Sequence, residues 1–356
     1  MRIAVAMSGG VDSSVAAAML ADEGHDVIGL SMQLYDQTGG ERSFGRCCTL
    51  DDLHDARRVA AAIAIPHYVL NLERQFDEHV VSNFVQEYTS GRTPLPCARC
   101  NSDLKFATLV DRARGFDAEA VATGHYARVA YDQTTGRYQL RRGVDASKDQ
   151  SYFLFSLTQD QLARAVFPVG GHAKDAVRVY ARTRGLPVAD KPDSQEICFV
   201  PDDDYASFVA KWAPEAAQAG AIVDQNGLVV GRHGGVHRFT IGQRKGLGLS
   251  SSPTGAPMYV LALDPADRQV VVGPKTSLER TTLTASGVNW IVGEPPGDVR
   301  VAAQIRHRHP PATATARPLA EGRVAVSFDA PQIAITPGQA LVMYDGDLVV
   351  GGGWID

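Results

Sequence analysis

The amino-acid sequence predicts an α/β protein: an N-terminal parallel sheet with helices on both faces, then a small, mainly β central domain and a C-terminal β-barrel. Three observations carry that reading. Residues 1–125 alternate short apolar runs with helical stretches. A glycine-rich loop, Met7-Ser8-Gly9-Gly10-Val11-Asp12-Ser13-Ser14, joins the first apolar run to the first helical one. Past about residue 200, short alternating runs between turn pairs such as Asn226-Gly227, Gly234-Gly235 and Asp345-Gly346 replace the helical pattern.

Taken in order, Ile3 to Met7 reads as a strand, Ser13 to Glu23 as a helix and Val27 to Met32 as a strand. Asp51 to Ala64 is helical, His67 to Leu70 strand-like, Glu73 to Tyr88 and Ser102 to Arg114 helical, and Ala120 to Ala122 strand-like. A last helix covers Tyr205 to Trp212. The expected divisions are 1–205 for the α/β domain, 206–281 for the central domain and 282–356 for the barrel. Ligands of such parallel sheets sit beyond the carboxyl ends of the strands, where the glycine loop, Ser31-Met32-Gln33 and Ala122-Thr123-Gly124-His125 all fall.

With 356 residues, 44% hydrophobic and 21% charged, the chain has the composition of an ordinary globular protein with more than one core. No apolar run approaches the ~20 residues of a membrane span, and Arg2 is followed by a strand-sized run rather than a secretory signal. A net charge of -5 confines any nucleic-acid site to a local basic patch. The five cysteines, an odd number in a large chain, argue for a reducing, cytoplasmic setting and for redox, nucleophilic or metal roles.

The glycine loop lacks the lysine of GxxxxGK[ST] and the spacing of GxGxxG. It offers the backbone N–H groups of Ser8, Gly9 and Gly10 and the hydroxyls of Ser13 and Ser14 at a helix N-terminus, a place that favours anions. SGGVDS at the end of a first strand resembles the pyrophosphate loop of the ATP pyrophosphatase family. That resemblance implies ATP cleaved between its α and β phosphates, with AMP passed to a substrate oxygen and Asp12 available as a ligand for Mg²⁺.

Two further stretches carry thiols: Thr93-Pro94-Leu95-Pro96-Cys97-Ala98-Arg99-Cys100-Asn101, and Lys191-Pro192-Asp193-Ser194-Gln195-Glu196-Ile197-Cys198-Phe199-Val200. Cys100 is expected just before a helix, whose N-terminus would lower its pKa. Read blandly, Cys198 is a small buried apolar residue, and the CxxC is half a zinc site without its other half. Together with AMSGGVDSSVAA, CCTLDDLHDARRVA, ATGHYAR, KDQSYFLF, FTIGQRKGLG and AITPGQALVMYDGDLVVGGGWI, these stretches resemble the tRNA-specific 2-thiouridylases along nearly the whole chain.

The resemblance implies sulfur transfer to the wobble uridine of tRNA after ATP has adenylated the uracil C2 oxygen, giving 2-thiouridine, AMP and pyrophosphate. Cys198 would bear a persulfide delivered by a sulfur-relay donor protein, and Cys100 would be the nucleophile that attacks it, leaving a Cys100–Cys198 disulfide. Ala6, Met7, Ser8, Gly9, Gly10, Val11, Asp12 and Ser13 would hold the phosphates, with Met32 and Gly124 lining the adenosine pocket. His125, Lys148, Asp149, Gln150, Arg306, His307 and Gln339 correspond to tRNA contacts, a cation for phosphate and an amide for a base edge. Arg238 and Gln243-Arg244-Lys245 form a second basic patch. The chain departs from some members by carrying Cys97 where they have an aspartate. Cys97 is thus a candidate acid/base or, with Cys100 and Cys198, a ligand of a [4Fe-4S] cluster. Cys47-Cys48 is read as loop packing, the segment Ser194 to Cys198 as a mobile loop, and the protein as a monomer binding one tRNA. The glycine loop alone would also suit an amide ligase acting on a small metabolite, and a tRNA-binding protein without catalysis is the reading from another class.

Overall fold

The protein is described here as a computed structural model, and its described residues are 1–35, 50–193, 197–200, 204–249 and 256–356. Cys47, Cys48, Ser194, Gln195, Glu196, Asp202 and Asp203 lie outside them, so the readings made for the Cys47-Cys48 pair and for most of the loop before Cys198 fall there too.

Strands β1 (Arg2–Ala6), β2 (Asp26–Gln33), β3 (His67–Asn71) and β4 (Ala120–Ala122) run parallel in one sheet. After β4 the chain makes a hairpin, β5 (Ala127–Asp132) and β6 (Arg137–Arg142), before β7 (Ala165–Val166) completes the sheet in the order β3-β2-β1-β4-β7. Ile3, Ala4 and Val5 are buried, as expected of a central strand covered on both faces. Helix α1 (Val11–Asp22) carries Val15-Ala16-Ala17-Ala18, all fully buried, because it is wedged between the sheet and later helices. The strand order reverses at β1, between β2 and β4, and this opens a crevice at the carboxyl ends.

Helices α2 (Leu50–Ala62), α3 (Glu73–Phe76) and α4 (Ser82–Thr89) follow, the last two joined by a π-turn at Asp77–Val81. Helix α5 (Pro96–Arg99) runs through a second π-turn, Cys100–Lys105, into α6 (Phe106–Arg114). The helix read from Ser102 therefore starts a turn and a half earlier, at Pro96, whose fixed φ suits a first helical position. Helices α7 (Gln159–Leu162), α8 (Lys174–Thr183) and α9 (Tyr205–Trp212) complete the set among the described residues. None is long and apolar enough to cross a membrane.

A small sheet, β8 (Gly220–Val223), β9 (Val229–His233), β10 (Tyr259–Asp264) and β11 (Gln269–Gly273), has the order β10-β11-β8-β9 around Ile222, Val260, Val270 and Val272. Beyond it, β12 (Glu279–Trp290), β13 (Val299–Gln304), β14 (Ala312–Leu319), β15 (Arg323–Ile333), β16 (Ala340–Asp345) and β17 (Leu348–Ile355) form a barrel, closed where β12 pairs with β17. The predicted fold class, parallel sheet then small β domain then barrel, is thus the observed one. The β5–β6 hairpin was not read from the sequence. It leaves the first sheet and joins the barrel, with Arg141 opposite Leu348.

Candidate functional site: a phosphate loop and a thiol cluster

The loop after β1 owes its shape to two glycines. Gly9 has φ +72°, a left-handed conformation that disfavours a side chain, and a Cβ there would run into the Asp52 carbonyl. A Cβ on Gly124 would lie 2.5 Å from the Ser13 nitrogen, so the turn after β4 closes directly on the first turn of α1. Hydroxyls fix the rest. Ser8 N donates to Ser13 Oγ (3.2 Å), Ser14 Oγ to the Gly10 carbonyl (2.7 Å) and Ser31 Oγ to the Met7 carbonyl (2.7 Å). Ala6, Met7 and Val11 are buried and can offer only backbone, whereas Ser8 is exposed. Met32, read as lining an adenosine pocket, is 6% exposed and packs in the core under β2.

The loop has no lysine of its own, but the fold brings two to it. Lys174, at the start of α8, is buried and donates to both carboxylate oxygens of Asp12 (2.8 and 2.9 Å). Its ammonium also lies 2.8 Å from Asp193 Oδ1. Lys191 donates to Asp52 (2.6 Å), to Asp55 (2.7 Å) and to the Gly9 carbonyl (3.1 Å). Burial works against the Lys191 charge, but the two aspartates outweigh it and raise its pKa above the ordinary value. Tyr126 Oη donates to Asp12 (2.9 Å), and burial, reinforced by the Asp12 charge, keeps the phenol protonated. Sequence reading missed both lysines, since neither lies in the loop motif.

Asp193 is the second node. It accepts from Lys148 (2.8 Å) and Arg178 (2.8 Å) as well as pairing with Lys174. Burial pushes its carboxyl up, yet the hydrogen bonds of Lys148 and Lys174 prevail and hold it down to about 2. Asp12, read as an available Mg²⁺ ligand, is instead occupied by Lys174 and Tyr126. Among the described residues no group of three His, Cys, Asp or Glu is placed to hold a metal ion. The described residues thus show neither a Mg²⁺ ligand set around Asp12 nor a cluster ligand set on Cys97, Cys100 and Cys198.

The thiols lie in an apolar setting. Cys100 opens the π-turn and is 7% exposed, in one hydrophobic cluster with Phe76, Phe84, Leu104 and Phe199. The expected lowering of its pKa does not occur: Cys100 continues a helix begun at Pro96 rather than preceding one, and burial raises its pKa, with Lys105 only partly opposing. Cys198 is half-buried against the same cluster. Its neighbour Phe199 meets Phe76, Phe84 and Phe208 edge-on at 5.3, 5.1 and 5.4 Å, which fixes the chain on its carboxyl side. Cys97 is exposed on α5, and no disulfide joins these three cysteines.

The residues matched to tRNA contacts divide into two groups. Asp149, its side chain 6% exposed, accepts from Arg142 (2.9 Å), from Gly143 N and from the Ser151 hydroxyl. Gln150 Oε1 accepts from Tyr126 N (3.0 Å). Arg142 also stacks 3.6 Å over the Tyr344 ring and reaches Gln304, whose amide donates to the Arg306 and His307 carbonyls. This chain of contacts unites the 148–150 run with Arg306-His307, which lie far apart in sequence. Gln339 Nε2 donates to the Thr93 and Pro94 carbonyls, both 3.1 Å, tying the barrel to the loop before Cys97. His125, matched to a tRNA contact, is not a cation. Burial, with Lys105 nearby, lowers its pKa well below the ordinary value, so its ring is neutral, 2.7 Å from the Thr123 hydroxyl. Arg238, Arg244 and Lys245 are exposed, and Thr240 beside them reaches Thr93 (3.4 Å).

Three family models match: tRNA methyl transferase HUP domain over residues 1–202, tRNA methyl transferase PRC-barrel domain over 206–274, and aminomethyltransferase beta-barrel domain over 280–355. The chain is 51% identical over 360 residues to the tRNA-specific 2-thiouridylase MnmA of Geotalea uraniireducens (strain Rf4), covering 100% of this chain and 95% of that one. To the tRNA-specific 2-thiouridylase MnmA of Solibacter usitatus (strain Ellin6076) it is 54% identical over 371 residues, covering 99% of each. The chain belongs to the tRNA-specific 2-thiouridylase family. Among solved structures, one described as a 4-thiouridine synthetase–RNA complex with bound ATP has a TM-score of 0.36 at 16% identity, over 60% of this chain and 50% of that one, too distant to bear on function. In this 2-thiouridylase the phosphate loop and the thiol cluster adjoin through one short segment. Lys191 and Asp193 reach the loop's charges, and Cys198 follows five positions after Asp193.

Proposed function

We propose that this chain thiolates the wobble uridine of tRNA at the expense of ATP. The observation that carries the reading is a glycine loop with two carboxylate-held lysines, linked by residues 191–198 to an apolar cluster holding Cys100 and Cys198. The loop amides and the Ser13 and Ser14 hydroxyls cradle the leaving pyrophosphate while the uracil O2 attacks the α-phosphorus. The Cys100 thiolate then attacks the inner sulfur of a Cys198 persulfide. The Cys100–Cys198 bond forms as the outer sulfur moves onto C2, AMP departs with the former oxygen, and a thiol reductant returns the two electrons. A raised Cys100 pKa suits this order, because the thiol stays protonated until its partner arrives.

The wobble base must leave its stack to reach the thiols, and the Arg306-His307 loop with the Arg238 to Lys245 patch grips the RNA around it. Any Mg²⁺ comes on the phosphates of ATP. The enzyme works as a cytoplasmic monomer supplied by a protein persulfide donor. The family-model wording names methyl transfer; the pair of cysteines on one cluster favours sulfur.

The test is transfer of ³⁵S from a persulfide donor to unmodified anticodon stem-loop RNA with ATP, for the wild type, Cys100→Ser and Cys198→Ser. Label in 2-thiouridine from the wild type alone, with AMP and pyrophosphate released, is expected. ATP cleavage with no label in RNA would leave the loop correctly read and the substrate wrong. Iron with acid-labile sulfide in anaerobically purified protein would overturn the persulfide route.

A further inference from the structure

Asp193 accepts from three cations on two parts of the fold: Lys148 from the run next to Gln150, and Lys174 and Arg178 one turn apart on α8, Lys174 also belonging to the phosphate loop's charge pair. Arg178 also donates to the Ala189 and Lys191 carbonyls (3.2 and 3.1 Å), so it grips the chain on both sides of Pro192. Five peptide units span at most about 18 Å, so Cys198 cannot stray far from a fixed Asp193. On the other side of Cys198, Phe199 is 3% exposed and locked among Phe76, Phe84 and Phe208.

Resting on the thiolation reading, we infer that Asp193 is a positioning residue that couples the two half-reactions. By holding Lys174, Lys148 and Arg178 together, it places the Cys198 segment against the site where ATP and the target base meet. Lys174 is shared between Asp12 on the loop and Asp193, so a polyphosphate arriving at the loop competes for that ammonium and alters the pull on Asp193. The same competition is felt by Lys148, which shares the acceptor. Asp193 acts through these cations and not on the reacting atoms. It lets the occupied loop and the seated RNA act on the position of the persulfide.

The consequence is a ratio. With Asp193 intact, one AMP appears for each 2-thiouridine. In Asp193→Asn, adenylation continues because Lys174 keeps Asp12, but the activated uridine waits for sulfur and is lost to water. Thiolation is expected to fall about tenfold or more, AMP released per 2-thiouridine to rise several-fold, and the KM for ATP to move less than about threefold. Asp193→Glu, which keeps the charge, should recover most of the coupling, and Lys148→Met should raise the ratio by a smaller factor. A merely structural role would lower AMP release and thiolation together at a ratio of one, and that result overturns the inference. So would an unchanged thiolation rate. Should Asp193→Asn fail to fold, Arg178→Met and Lys148→Met carry the same ratio test singly. No 2-thiouridine from the wild type would instead sink the thiolation reading itself.

Discussion

The phosphate end and the thiol end of this site adjoin through one segment of chain, yet they are built by opposite means. Around the glycine loop charged side chains meet in pairs: Asp12 with Lys174, Asp52 and Asp55 with Lys191, Asp193 with Lys148 and Arg178. Cys100 and Cys198 instead belong to a largely apolar cluster with Phe76, Phe84, Leu104 and Phe199. An anion that arrives and leaves needs preorganised donors whose charges are balanced before it comes. A thiol that must not react early needs a low-dielectric setting that holds its proton. Each end would spoil the chemistry of the other, and only a short stretch, 191–198, belongs to both.

The comparison can be broken most severely at Gly9. A side chain there must adopt positive φ, costing roughly 1–2 kcal/mol, and must also displace the Asp52 carbonyl. Gly9→Ala should abolish ATP-dependent AMP release, by about a hundredfold or more, while Cys97 remains open to iodoacetamide. Near-normal AMP release would show that the loop does not depend on its backbone. Next comes Lys174→Met, which strips the ammonium from two carboxylates at once. The KM for ATP should rise about tenfold, equivalent to about 1.4 kcal/mol, with alkylation at the thiol end unchanged. An unaltered KM would mean that the lysine serves the fold alone.

At the thiol end the raised pKa of Cys100 fixes a sign. The neutral thiol is favoured, so the thiolate fraction at any pH is smaller than for an ordinary cysteine, and sulfur transfer should climb about tenfold per pH unit through the ordinary thiol range. Alkylation should modify exposed Cys97 before buried Cys100, followed by mass spectrometry of the two peptides. A rate that levels off below pH 8 would contradict the burial argument. The smallest effect is expected from Gln339→Ala, which removes two hydrogen bonds to the Thr93 and Pro94 carbonyls at about 1 kcal/mol each. Thermal unfolding should drop by a few degrees and thiolation only a few-fold.

Much of the fold was legible because its signals are local. β1 and the Gly9-Gly10 turn stand in one stretch, and Ala120–Ala122 and Tyr205–Trp212 were read with the bounds the structure has. What stayed hidden depends on distant partners. The β6 strand Arg137-Tyr138-Gln139-Leu140-Arg141-Arg142 looks like a polar surface run until Asp347, from the barrel, is seen accepting from both Arg128 (2.7 Å) and Arg141 (2.8 Å). Lys174 stands 162 positions from Asp12, and no spacing rule reaches that far. The state of Cys100 was misjudged for a local reason: a helix was expected to begin after it, and Pro96 instead begins one before it.

The loop that carries Cys97 and Cys100 is held by the far end of the barrel. Thr93 N donates to the Pro337 carbonyl, Arg92 to the Ile355 carbonyl, and Arg99 lies 4.4 Å over the Trp354 ring. A ribosome makes residues 337–355 after everything that they secure. During synthesis the glycine loop can form long before the loop of Cys97 and Cys100 is braced. Order of manufacture thereby separates the two ends: the loop of Cys97 and Cys100 gains its brace only once residues 337–355 have been made.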